Sequence, residues 1–313
     1  MKQTVEPMHS KTREILKMTG LNAILRKKFR HLFVIPGIVA GAAIGSAAAQ
    51  AQAPEAPIAT PAQRATYADL VTLAERSDLV IRVEIRRQIT VKPERAPGLA
   101  PGFARLYIEA QTLALLSGPS AVGESLNYLV DVPMDARGRP ERLKDREMLL
   151  FADLVPSRPG AIQLTGRNAQ LDYSPEIEAR VRPVLAALVA RDKPPVVNAV
   201  SDALAVQGTL VGESETQIFL ATQDRSPVSI SVLRRPGQRP VWGVSWGEII
   251  DSSARPPQPD TLRWYRLACT LPPRLPASAN LGQDANARRI AEADYAFVIE
   301  QLGPCRREIT QEF

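Results

Sequence analysis

Leu79-Val80-Ile81-Arg82-Val83-Glu84-Ile85-Arg86-Arg87-Gln88-Ile89-Thr90-Val91 is the stretch that decides how this chain folds. Ile81, Val83, Ile85, Ile89 and Val91 share one parity, while Arg82, Glu84, Arg86, Gln88 and Thr90 share the other. That alternation predicts a long strand with one face in a core and the other in water. Arg87 alone breaks the apolar parity. It reads as a bulge or a rim residue whose head reaches solvent, or as an anion ligand inside a β pocket.

The neighbouring segments extend the same pattern. Upstream, Leu70, Leu73 and Ala74 fall on one face of a short helix over residues 67–76. Downstream, a Pro/Gly loop precedes a strand over 104–116 that turns Leu106, Ile108, Ala110 and Thr112 inward. After Ser117-Gly118-Pro119 the residues Leu126, Tyr128, Val130 and Val132 share one parity, hence another strand. Residues 148–155 form a near-continuous apolar run, the mark of a strand buried on both faces, and Ile162 and Leu164 suggest one more. Four or five strands with little helix between them predict a small, closed or nearly closed antiparallel barrel over 67–170. The order of strand, loop, strand ending in Leu115-Leu116-Ser117-Gly118-Pro119, strand, and then Met148-Leu149-Leu150-Phe151-Ala152 resembles OB-like domains of exported bacterial proteins. The resemblance implies a barrel and no particular ligand.

From Ser174 the period changes to that of a helix. Ser174 suits an N-cap and Pro175 the first helical position, and Ile177, Val181, Leu185 and Leu188 recur on one side. This helix bridges, over 171–195, to a second region over 196–313. There, strands over 204–211 and 216–222 flank Gly212-Glu213-Ser214-Glu215. Val228, Ile230 and Val232 make a third strand, and Val241 to Ile249 a fourth with Trp242, Val244 and Trp246 on one face. A further strand over 262–271 carries Cys269. A last helix over 285–302 buries Ala291, Tyr295, Val298 and Leu302 and stops at Gly303-Pro304. The expectation is an α+β, β-rich chain: an OB-like barrel, then an α+β domain with an antiparallel sheet and a C-terminal helix. The whole chain is similar to uncharacterised exported proteins of Gram-negative bacteria that carry Gly-Glu-Ser-Glu-Thr and Trp-Tyr-Arg-Leu-Ala-Cys segments, here Gly212 to Thr216 and Trp264 to Cys269. That resemblance implies export and carries no activity with it.

Export is also written at the start. Arg26, Lys27, Lys28 and Arg30 precede an uncharged run over 32–49, which ends in overlapping small-x-small triplets at Ala47-Ala48-Ala49-Gln50-Ala51. Basic segment, apolar segment and small-residue site are the order of a secretory signal over 1–51, cut after Ala49 or Ala51. Residues 1–17 read as a gene-model artefact ahead of a true start at Met18. The other reading is an uncleaved inner-membrane anchor through 32–49. A Pro/Ala-rich tether follows over 52–66. The formal charge of the 313-residue chain, +6, belongs to this leader. Without its eight basic and two acidic residues, 31 of each sign remain of the original 39 and 33. The charge excess that would attract nucleic acid or an anionic membrane is thereby removed. Residues 64–167 hold 15 basic and 13 acidic side chains with few aromatics, so no nucleic acid partner is expected, and a membrane partner only if the leader is uncut.

Cysteine and histidine exclude most catalytic chemistry. Cys269 and Cys305, 36 residues apart in an exported chain, predict a disulfide. Both histidines, His9 and His31, lie in the leader, so the exported part has no Ser-His-Asp or Cys-His catalysis and no His-ligated metal. No Ser-x-x-Lys spacing or phosphate loop is present, and no metal site or cofactor is implied. Carboxylate chemistry remains: Glu213, Glu215, Glu248 and Asp251 are the acidic candidates, able to act as acid and base if two oppose each other across a bond, or to be solvated turn residues. Trp242, Trp246, Trp264 and Tyr265 are either core or an aromatic platform for a sugar or peptide. The leading expectation is a non-catalytic binding or envelope-associated accessory module using the second sheet, with an unknown envelope ligand or protein as partner. The rival is a carboxylate-dependent hydrolase of cell-wall glycan or peptide.

Overall fold

The computed structural model describes residues 59–119, 122–247 and 254–311. The chain enters through two short helices, α1 (Pro61–Arg64) and α2 (Tyr67–Glu75), each started by a threonine. Thr60 and Thr66 accept from the backbone three residues on, and Gln63 and Asp69 reach back to the cap N–H, closing a capping box at each helix. Six strands follow: β1 (Leu79–Thr90), β2 (Phe103–Ser117), β3 (Ser125–Pro133), β4 (Glu147–Leu154), β5 (Ile162–Leu164) and β6 (Gln170–Asp172). Their order is β3-β2-β1-β4-β5, with β6 pairing β4 beyond the β5 contact. The sheet curls into an antiparallel half-barrel. Its ends meet where the Asn127 N–H donates to the Gly160 carbonyl at 2.8 Å and Asn127 forms a parallel bridge with Ala161.

The curl originates in the pairing of β1 with β2. Their register shifts three times: Leu116 and Leu113 are extra residues on β2, the last shift adds Arg86 on β1 between Ile85 and Arg87, and each bulge bends its strand. Beyond the last bulge the parity inverts. Gln88 turns toward the loop after β3, where its Oε1 accepts from the N–H of Leu143 and of Lys144, and Ile89 is left exposed. β4 is buried on both faces, as its apolar run predicts. Met148, Leu150 and Ala152 pack inside the half-barrel with Ile81, Leu106, Ile108 and Tyr128. Leu149 and Phe151 point the other way, into a larger core.

That larger core is supplied by the rest of the chain. Helix α3 (Pro175–Val189) begins at Ser174, whose Oγ accepts from the Ile177 N–H at 3.3 Å. Strands β7 (Val197–Gln207), β8 (Ser214–Thr222), β9 (Val228–Arg234) and β10 (Val241–Ser245) form an antiparallel meander, ordered β10-β9-β8-β7. Helix α4 (Leu262–Ala268) and helix α5 (Ala285–Leu302) complete the fold. α5 lies against β7 and β8 and buries Ala291, Tyr295, Val298 and Leu302. Val80, Leu149 and Phe151 of the first sheet share one apolar cluster with Leu70 and Leu73 of α2, Ile218 and Ile230 of the second sheet, and Tyr295 of α5. α2 is consequently buried from Ala68 to Ala74, not along one stripe alone.

Three segments differ from expectation. The run expected as a strand bearing Cys269 is helix α4, with Cys269 as its C-cap. Its Trp-Tyr pair favours a strand locally, but the Thr261 cap, which accepts from the Trp264 N–H, and burial on several sides decide for a helix. β7 starts at Val197 and ends at Gln207, so Leu210 and Val211 belong to the turn and not to the strand. β10 ends at Ser245, short of the expected Ile249, and residues 248–250 lie outside the described residues.

Candidate functional site

The acidic candidates sit at the β7–β8 hairpin and beyond β10. In the hairpin, the Gly208 N–H donates to the Glu213 carbonyl at 2.9 Å and the Glu213 N–H to the Leu210 carbonyl at 3.0 Å. Gly212 takes a φ of +84°, a conformation open to glycine at little cost. The Glu213 side chain folds back, its Oε2 accepting from the Leu210 N–H at 3.3 Å and its carboxylate occupying the space where a Cβ on Gly208 would stand. Glu215 lies on the exposed face of β8 and accepts from Gln217 Nε2 at 2.7 Å. Both carboxylates are engaged locally, one with the turn backbone and the other with a neighbouring side chain. They border a shallow cavity of about 290 Å³ together with Val206, Leu233, Arg234 and Arg235. Glu248 and Asp251 lie outside the described residues.

The aromatic candidates are in the core. Trp242, Trp264 and Tyr265 are buried, and Trp246 is half-buried against the same cluster. The Trp264 indole N–H donates to the Leu302 carbonyl at 2.8 Å, and its ring meets Tyr67 edge-on at a centroid distance of 6.5 Å. The Tyr265 hydroxyl is 3.0 Å from Thr72 Oγ1. The polar ends of Trp264 and Tyr265 are thus satisfied by the fold. Arg87 stands exposed at the β1 bulge and pairs with Glu109 at 3.3 Å.

Cys269 and Cys305 are bonded, joining the end of α4 to the segment after α5. A disulfide of this kind suggests an oxidising, non-cytosolic compartment. Among the described residues no helix is long and apolar enough to cross a membrane, and no group of three or more metal-ligating side chains converges.

Sequence reading missed a different cluster, centred on Asp69, which is fully buried. Its Oδ2 accepts from the Thr66 N–H (2.8 Å), the Thr66 hydroxyl (2.8 Å) and the Glu308 N–H (3.0 Å). Its Oδ1 accepts from the N–H groups of Ile309 (3.2 Å) and Thr310 (2.9 Å) and from the Thr310 hydroxyl (2.6 Å). Burial pushes the carboxyl up. The bonds from Thr310, Glu308 and Thr66 outweigh that and hold it below its ordinary value. The geometry fastens the C-terminal segment to α2 and leaves neither oxygen for chemistry. The one sequence signal was the capping box Thr66-x-x-Asp69, which reports a helix start and not a partner 240 residues away. Buried Asp294 plays a similar part on α5, accepting from the hydroxyl of Thr216 on β8 and from Nε of Arg234 on β9. On α4, Arg266 is buried, pairs with Glu75 and leaves its Nε–H without a partner.

Compared with family models and with curated proteins, the chain matches none, so its function is argued from residues and geometry alone.

Proposed function

We propose that this chain is an exported, non-catalytic binding or envelope-associated accessory module that works from its second sheet. The observation that carries the reading is the engagement of Glu213 and Glu215 within their own hairpin. Glu213 closes the turn backbone and Glu215 holds Gln217, whereas an acid–base pair needs two carboxyls facing one bond with separated proton affinities. The compartment we infer is the periplasm or the exterior, reached by removal of residues 1–51. Mass spectrometry of the protein from cells checks this. The expected chain begins at Gln50 or Gln52, and its mass rises by two hydrogen atoms when an added thiol reductant reduces the Cys269–Cys305 bond. Recovery of residue 32–49 peptides in the membrane fraction, joined to the rest of the chain, would replace cleavage by anchoring.

The hydrolase reading is tested on glycan strands and cell-wall peptides with Glu213→Gln, Glu215→Gln, Glu248→Gln and Asp251→Asn. No turnover above blank is expected of any of these proteins, the parent included. Turnover in the parent that any one variant abolishes sinks the accessory-module reading.

A further inference from the structure

We propose that the end of the second sheet bearing the β7–β8 turn docks peripherally on an anionic phospholipid surface. The proposal deepens the accessory-module reading and rests on it. In the β10-β9-β8-β7 meander, the β7–β8 turn and the β9–β10 loop leave the same end of the sheet. The turn carries Leu210 and Val211 at its tip, 61% and 99% exposed. Behind the tip, one cross-strand row runs Val206, Glu215, Leu233, Val241, of which Val206 and Val241 are 58% and 56% exposed. Single exposed apolar residues need no explanation, but an exposed aliphatic pair at a tip with two more beside it marks a contact surface.

The charge at this end selects the partner. The β9–β10 loop presents Arg235 and Arg239, both exposed and without an ion pair among the described residues, while Arg234 is neutralised by Asp294. Of the acids, Glu213 is turned back under the tip by its bond to Leu210 N–H, and Glu215 stands one row behind it on the sheet. The aliphatic tip therefore stands beside a loop that carries two guanidiniums unpaired among the described residues. That pattern suits acyl chains below a layer of phosphate head groups. Entry of two aliphatic side chains is worth on the order of tenfold or more in partition, and each guanidinium near an anionic surface about fivefold, so the contact is weak and reversible.

The test is co-sedimentation of the full chain, with the N terminus it carries in cells, on vesicles of equimolar phosphatidylglycerol and phosphatidylcholine and on phosphatidylcholine alone. The parent is expected to prefer the anionic vesicles. Leu210→Ser with Val211→Ser keeps every charge and should lower partition on the order of tenfold. Arg235→Gln with Arg239→Gln should remove the preference between the two vesicle types. These positions are exposed, and an unchanged thermal midpoint verifies folding. Binding by the serine variant equal to the parent's, an anionic preference that survives loss of both arginines, or no binding by the parent overturns the proposal. The accessory-module reading fails separately, through turnover that the carboxamide variants abolish.

Discussion

Asp69 shows how much one side chain can hold at the residue scale. Six donors converge on its carboxylate, three of them the consecutive N–H groups of Glu308, Ile309 and Thr310, and all but the Thr66 pair come from the far end of the chain. Truncation to Ala leaves those donors buried without acceptors, so Asp69→Ala should cost about 3 kcal/mol or more, read from the urea midpoint. Asn cannot replace it, because its NH2 offers donors where acceptors are needed. The folded carboxyl titrates below its unfolded value. Its stabilisation is therefore complete above the unfolded carboxylate range and is lost as pH falls through the lower, folded value. Urea midpoints between pH 6 and pH 3 should fall more steeply for the parent than for Asp69→Ala. Equal slopes would show that the carboxylate does not carry the linkage. Tyr67, by contrast, is pushed up to about 12 by burial first and by Asp260 second, and it stays neutral throughout that range.

At the scale of elements, the Cys269–Cys305 bond ties the C-cap of α4 to the turn after α5, just ahead of the segment that Asp69 holds. Closing a 36-residue separation removes denatured-state entropy worth about 4 kcal/mol in the loop-closure picture. Cys269→Ser with Cys305→Ser should lower the urea midpoint accordingly, and reduction of the parent should produce the same midpoint. Gly243 on β10 makes a second element-level demand. A Cβ there would meet the Ala254 carbonyl, where the returning chain crosses the strand and the Val244 N–H reaches Arg255 O at 3.4 Å. The helix α5, its stripe and its Gly303 stop were all legible in sequence, because a long amphipathic period survives any tertiary context. Helix α4 was not, because seven residues with two aromatics carry no period long enough to separate helix from strand.

At the scale of the whole molecule, β4 joins the two apolar clusters. Its even-numbered residues fill the half-barrel, and Leu149 and Phe151 pack with α2, α3 and the second sheet. Phe151→Ala should therefore cost about 3 to 5 kcal/mol and lower amide protection in β1 and in β8 together. Loss confined to β1 and β2 would show that the sheets unfold as separate units. Local pattern determined, from sequence alone, the alternation of β2, of β3 and of β1 as far as Ile85, the two-sided burial of β4, the N-cap of α3, the stripe of α5 and the pairing of the two cysteines, since each depends on neighbours in the chain or on chemistry with few partners; the inverted parity beyond the β1 bulge was not among them. Only the tertiary structure decided that Trp264 and Tyr265 face the core, that Glu213 folds under its own turn, that Leu210 and Val211 stand clear of the sheet, and that Asp69 receives residues 308–310. Those outcomes depend on which distant backbone groups arrive unpaired beside a side chain, and no spacing along the sequence records that.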